Sequence, residues 1–206
     1  MYVRDAKNRE EVWLLDHIES MGLDATAFRS RDYVVAIDET AGEKAGFGRI
    51  RIHKLDDGDD AADGDRAGRE DAVCELTSIG VLEGWRNQGV GAHVIERLIE
   101  YAGDEGFDIV YTLTGESAYL AQFGFRRIDE SQLPDPLQGR LAAKREKTDP
   151  NAVPLAIEID RFRLPDRLRE AFKRAPEQQA DESNEESAED FGIDPETATY
   201  KYDTGS

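Results

Sequence analysis

The chain has a single cysteine, Cys74, among its 206 residues. An internal disulfide and a cysteine-based metal cluster are both excluded, and a reduced compartment is the expectation. Long apolar runs are also missing. None approaches the roughly 20 residues that span a bilayer, and Met1-Tyr2-Val3-Arg4-Asp5 does not open a signal peptide, so a cytoplasmic, membrane-free protein is expected. Basic charge is scarce as well, with 26 Lys plus Arg against 45 Asp plus Glu and a formal net charge of −19. Binding to a phosphate backbone needs a basic face, and none is visible, so nucleic acid is not an expected partner. Only seven of the basic residues are lysine. An acid surplus with few lysines suits a high-salt cytoplasm, where dense carboxylates keep a surface hydrated and counterions screen their repulsion. A halophilic source is therefore expected.

What the chain does contain is concentrated between Ala72 and Ala102. Val73 to Val81 is rich in β-branched and apolar residues and reads as a strand. From Ala92 the period changes, and Val94, Ile95, Leu98, Ile99 and Ala102 share one helical face. Arg86-Asn87-Gln88-Gly89-Val90-Gly91 joins the two. A strand that enters a helix through two glycines presents consecutive backbone N–H groups at the positive end of the helix dipole, which is a phosphate site. Glycine lets a diphosphate approach the backbone, and Arg86 adds a charge-assisted contact. No Lys-Ser/Thr pair follows the second glycine and no third glycine completes a dinucleotide fingerprint, so both common phosphate loops are excluded.

Arg86-x-x-Gly89-x-Gly91 after Ile79-Gly80-Val81 resembles the acyl-CoA diphosphate loop of the GNAT N-acetyltransferase superfamily. Downstream, Tyr119-Leu120-Ala121-Gln122-Phe123-Gly124-Phe125 resembles the family's helix ending in Leu-Gly-Phe. The resemblance covers roughly residues 1–163 and implies an α/β (α+β) fold: a mixed, mostly antiparallel sheet with helices on both faces. It implies acetyl-CoA as co-substrate, a primary amine as acceptor, and a diphosphate site over Arg86, Asn87, Gln88, Gly89, Val90, Gly91 and Ala92. Backbone groups near Ile79 and Val81, with Thr114 opposite, are expected to hold the pantetheine arm.

Three features bear on catalysis. Glu75 is an ionisable side chain in an apolar strand, and such burial needs a reason. The resemblance implies a general base acting directly or through water; the alternative is an ion pair with Arg49 or Arg51. Cys74 is expected to be a small buried hydrophobe rather than an acetyl carrier. Many family members carry a tyrosine that protonates the departing thiolate; here Leu120 occupies that position, leaving Tyr119 or Ser117 as the candidate acid.

The remaining chain fills in around these motifs. Tyr2 to Arg4 suggests a strand, followed by a helix from Asn8 with Glu11 closing a capping box and Val12, Leu15, Ile18 and Met21 on its apolar face. Asp24 to Arg29 is expected to form a second short helix. Tyr33 to Asp38 and Gly46 to His53 read as a hairpin. Residues 55–71 form an acidic low-complexity loop, and its Asp56-x-Gly58-x-Asp60 lacks the closing glutamate of a calcium loop, so no metal is expected. His17 and His93 are expected to be structural or solvent-facing. Leu133-Pro134 followed by Arg140, Lys144, Arg145 and Lys147 is a basic patch in an acidic chain. It is similar to the N-acetylglutamate synthase-like branch, which implies that Arg140 and Lys144 meet an anionic acceptor; an amphipathic helix with solvated charges is the alternative. Residues 164–206 are expected to be an acidic, largely disordered tail, although Asp166 to Arg174 has helical character. The last strand, Val153 to Asp160, is expected to expose an edge that could pair in a homodimer. A lysine- or N-terminus-modifying acetyltransferase and a non-catalytic CoA-binding scaffold remain alternative functions.

Overall fold

In a computed structural model, residues 1–55 and 72–177 are described. The strands are β1 (Tyr2–Asp5), β2 (Tyr33–Ile37), β3 (Lys44–Lys54), β4 (Ala72–Val81), β5 (Ile109–Thr114), β6 (Arg126–Arg127) and β7 (Val153–Glu158). They form one sheet in the order β1-β2-β3-β4-β5-β7-β6, in which only β4 and β5 run parallel. The helices are α1 (Glu11–Ser20), α2 (Val90–Asp104), α3 (Ser117–Ala121), α4 (Asp135–Lys147) and α5, residues 166–177.

Side-chain alternation divides the strands between two cores. Val34, Ala36, Cys74 and Leu76 bury against Val94, Ile95 and Leu98 of α2. On the opposite face, Tyr33, Val35, Ile37 and Phe47 cover Leu14 and Ile18 of α1, while Val73 and Leu113 pack on Leu137 and Leu141 of α4. Helices therefore flank both faces, as the resemblance implied.

Four local expectations differ. The first turn before α1 is capped by Glu10, whose carboxylate accepts from the Lys7 amide at 2.7 Å and from both terminal nitrogens of Arg4 at 2.8 Å. This shifts the apolar face, so that Leu14 is buried while Val12 is 70% exposed. Asp24 to Arg29 is a loop. The Asp24 side chain accepts from the Thr26 amide at 2.8 Å, closing a turn that competes with helix, and Ala27 has φ +50°. The last strand lies between β5 and β6, so it is not the free edge expected to mediate a homodimer.

Finally, packing continues past Arg163. Leu164, Leu168, Phe172 and Ala175 recur at helical spacing and are buried in the α2-side core. The expected boundary at 163 thus falls before an ordered helix. The Asp56-x-Gly58-x-Asp60 loop and the remaining tail, residues 178–206, lie outside the described residues.

Candidate active site

The central cleft follows from sheet geometry. β4 pairs with β5 at only three positions, Cys74 with Val110, Glu75 with Tyr111 and Leu76 with Thr112. Beyond these, β4 stays paired with β3 through a register shift: Arg49 faces Thr77, whereas Phe47 already faces Gly80. Ser78 sits at this bulge with φ +51°, and its hydroxyl donates to the Asp24 carbonyl at 2.8 Å. The bulge turns β4 away from β5, leaving no β5 ladder partner for Ser78 to Val81.

The resulting cavity has a volume of ≈ 880 Å³. Ile79 and Val81 line it from β4, Thr112 and Thr114 from β5, and Tyr119 and Leu120 from α3. Arg86, Asn87, Gly89, Val90 and Gly91 form the wall at the start of α2. Asn87 and Gly89 are both left-handed, at φ +62° and +75°, which turns the loop sharply into the helix. The first helical bond runs from the His93 amide to the Gly89 carbonyl at 3.2 Å, so the amides before it have no acceptor inside the helix.

Two residues of the expected diphosphate site do not line the cavity. Ala92 is buried in the α2-side core, and the Gln88 side chain donates to the Gly84 carbonyl at 3.0 Å, bracing the loop from within. The glycines also divide their work. A Cβ on Gly89 would stand 2.3 Å from the Leu168 carbonyl oxygen of α5, so this glycine admits a helix rather than a ligand. A Cβ on Gly91 would point to Val81 and to the Tyr119 hydroxyl, 3.3 and 3.5 Å away.

A dense charge cluster occupies the other end. Glu75 has no exposure and takes no part in the cavity wall. Its Oε2 lies 2.8 Å from His53 Nε2, and Arg140 donates to both of its oxygens at 3.2 Å. Burial opposes the charge, but these contacts prevail and hold its pKa below the usual carboxylate value. The ion-pair alternative thus has other partners than those expected, because Arg49 turns to the Thr26 carbonyl at 2.9 Å and to Asp24 at 3.9 Å. Asp24 also meets Arg140 Nη1 at 2.6 Å and lines the cavity. Its burial is outweighed by Thr26 and Arg140, leaving a pKa of about 2.

Arg140 is therefore turned toward Glu75 and Asp24 and does not itself line the cavity, while Lys144, one helical turn later, does. Lys144 makes no ion pair within 4 Å among the described residues, and burial lowers its pKa. Cys74 is buried beneath the cleft, with its thiol pushed up to about 12, as suits a core residue. Tyr119 is 40% exposed at the cavity and its pKa is raised by burial, so its phenol is protonated at neutral pH. His17 and His93 each face a carbonyl four residues back, Trp13 at 2.7 Å and Gly89 at 3.0 Å. Among the described residues no group of His, Cys, Asp and Glu could hold a metal, and no helix is long and apolar enough to cross a membrane.

Sequence reasoning missed His53, Asp24 and Arg167. His53 alternates with Arg49 and Arg51 on β3, a period-two signal, whereas Asp24 and Arg167 arrive from loops and helices far away in sequence.

The sequence model described as "Acetyltransferase (GNAT) family" matches residues 3–125, more than half of the chain. An uncharacterized N-acetyltransferase of Chlorobaculum tepidum is 31% identical over 62 residues, or 30% of this chain and 40% of that protein. The chain thus matches less than half the length of that relative. The N-acetylglutamate synthase of Neisseria gonorrhoeae, solved with coenzyme A and N-acetyl-glutamate, superimposes with a TM-score of 0.57 at 15% identity, covering 76% of this chain and 34% of that one. Rv2747 of Mycobacterium tuberculosis, solved with CoA and a second ligand, gives 0.57 at 16% identity over 77% of this chain and 99% of that one. At such identities the likeness is one of fold.

Proposed function

The chain belongs to the acetyltransferase (GNAT) family, and from that premise we propose that it moves an acetyl group from acetyl-CoA to the primary amine of a small, carboxylate-bearing molecule. The diphosphate lies against the loop from Arg86 to Gly91, and the pantetheine arm runs between β4 and β5, where it takes up the backbone groups that β5 leaves unpaired. The acetyl group then lies near Ile79. There the amine attacks the thioester carbon, a backbone N–H stabilises the developing oxyanion, and the thiolate departs. Tyr119 is the protonated group at the cavity that can hydrogen-bond this leaving sulfur.

Glu75 serves at one remove in this reading. Ionised, buried and bonded on both oxygens, it positions Arg140, which in turn holds Asp24; the amine loses its proton to water in the cavity. The acceptor class rests on one observation, the charge at this end. Arg49, Arg51, Arg140 and Lys144 surround Asp24 and Glu75, and Asp149 is occupied by the Gly115 and Asn151 amides at 2.6 and 3.2 Å. Lys144 remains as a cation on the wall with no ion-pair partner among the described residues, suited to a carboxylate.

The test is acetyl-CoA calorimetry followed by an amine screen that measures released thiol, in molar potassium chloride and in low salt. Acidic amino acids should be turned over in preference to neutral amines and basic peptides, and Lys144→Met should raise KM for the acidic acceptors alone. Preference for peptides would replace this reading with a protein-modifying one; binding without turnover would favour a scaffold. The acid surplus further proposes a salt-rich cytoplasm, and unfolding that is indifferent to salt would remove that part.

A further inference from the structure

The wall of the cavity nearest the Arg86 loop is completed by α5, a helix outside the segment that matches the family. Leu168 and Arg167 both line the cavity. Three contacts dock the helix on α2: Leu168 lies over Gly89, Phe172 stacks on His93 with ring centroids 3.8 Å apart, and Arg169 pairs with Glu96 at 2.6 Å.

Arg167 differs from its neighbours. Arg169 has a carboxylate, and Arg163 donates to the carbonyls of Asp160 and Phe162 at 2.8 and 2.6 Å. Among the described residues Arg167 is held only by the side-chain oxygen of Gln122, whose amide nitrogen donates to the Tyr119 carbonyl at 2.7 Å. Among the described residues no carboxylate lies within ion-pair distance of it, in a chain with 45 of them. A guanidinium aimed by a neutral amide and left without an anion on a cavity wall is preorganised for an anionic ligand.

We propose that Arg167 binds a phosphate of coenzyme A, so that α5 forms the second jaw of a clamp whose first jaw is the Arg86 loop. This rests on the placement of the coenzyme proposed above. The shared chemistry is a phosphate oxygen accepting from a guanidinium, and either the diphosphate or the 3′-phosphate supplies it.

Calorimetry on the full chain tests this, with coenzyme A, dephospho-coenzyme A and pantetheine as probes. Arg167→Ala should weaken coenzyme A binding roughly tenfold, Arg167→Lys should restore part of the loss, and pantetheine binding should not respond. A loss that vanishes with dephospho-coenzyme A assigns the 3′-phosphate; a loss that persists assigns the diphosphate. Arg169→Ala is the control, since it breaks the docking ion pair without touching the cavity. The proposal is overturned if Arg169→Ala weakens binding as much as Arg167→Ala, or if Arg167→Ala changes nothing while Arg86→Ala reduces affinity. Indifference to both Arg86→Ala and Arg167→Ala would instead refute the placement of the coenzyme, and the clamp with it.

Discussion

Arg140 donates to both carboxylate oxygens of Glu75 at 3.2 Å and with its remaining nitrogen reaches Asp24 at 2.6 Å, so one guanidinium ties α4 to β4 and to the loop after α1. Removing a partner from a buried ion pair leaves a charge uncompensated. Glu75→Ala should therefore cost about 3–5 kcal/mol by urea unfolding, and Glu75→Gln less. In the Gln variant kcat should fall modestly, and the pH–rate profile should still follow the pKa of the acceptor amine. Abolished turnover at unchanged stability would restore Glu75 as the direct base.

Asp24 makes stability depend on acid. Its folded pKa of about 2 lies below its ordinary 3.8, so its contribution is complete above 3.8 and is lost as the pH falls toward 2. Thermal melts should decline across that window, and Asp24→Asn should flatten the decline while lowering stability at pH 7.

The two loop glycines should separate stability from binding. Alanine at position 89 meets both a left-handed backbone and the Leu168 carbonyl, and should lose at least about 1–3 kcal/mol. Alanine at position 91 has an ordinary helical backbone and meets only side-chain ends, of which Val81, at 3.3 Å, must give by a few tenths of an ångström. It should change the melting temperature far less than alanine at position 89 does while raising KM for acetyl-CoA, because its methyl narrows the cavity between Val81 and Tyr119. If both variants lose stability and binding in parallel, this division of roles fails.

Tyr119→Phe removes the protonated hydroxyl and retains the ring stacked edge-on against Phe123. As the acid for the leaving thiolate, Tyr119 should show a drop in kcat with KM for acetyl-CoA little altered. The drop should shrink with a thioester whose thiol is more acidic.

Legibility from sequence followed the range of the interaction. The loop from Arg86 to Gly91 could be read because a strand, two glycines and a helix face are written within thirty residues, and the chemistry belongs to the backbone. Glu75 was recognisable as anomalous for the same local reason, but its partner was not. Arg51 lies directly opposite it in the sheet, yet Arg140, 65 residues on, takes the carboxylate. Helix α5 left a usable trace in Leu164, Leu168, Phe172 and Ala175, obscured by the acidic composition that follows. Asp24 was misread because helix propensity does not register an aspartate that bonds the backbone two residues ahead.

The three-residue junction between β4 and β5 has a mechanical meaning. On one side β1 to β4 form an antiparallel ribbon, and on the other β5 to β7 form a second, so the sheet is two rafts joined along a short seam. A ligand arm laid in the gap would extend that seam from both banks, and amide exchange at its end residues, Leu76 and Thr112, would report the joining. Coenzyme occupancy would then contribute to the cohesion of the fold as well as to its chemistry.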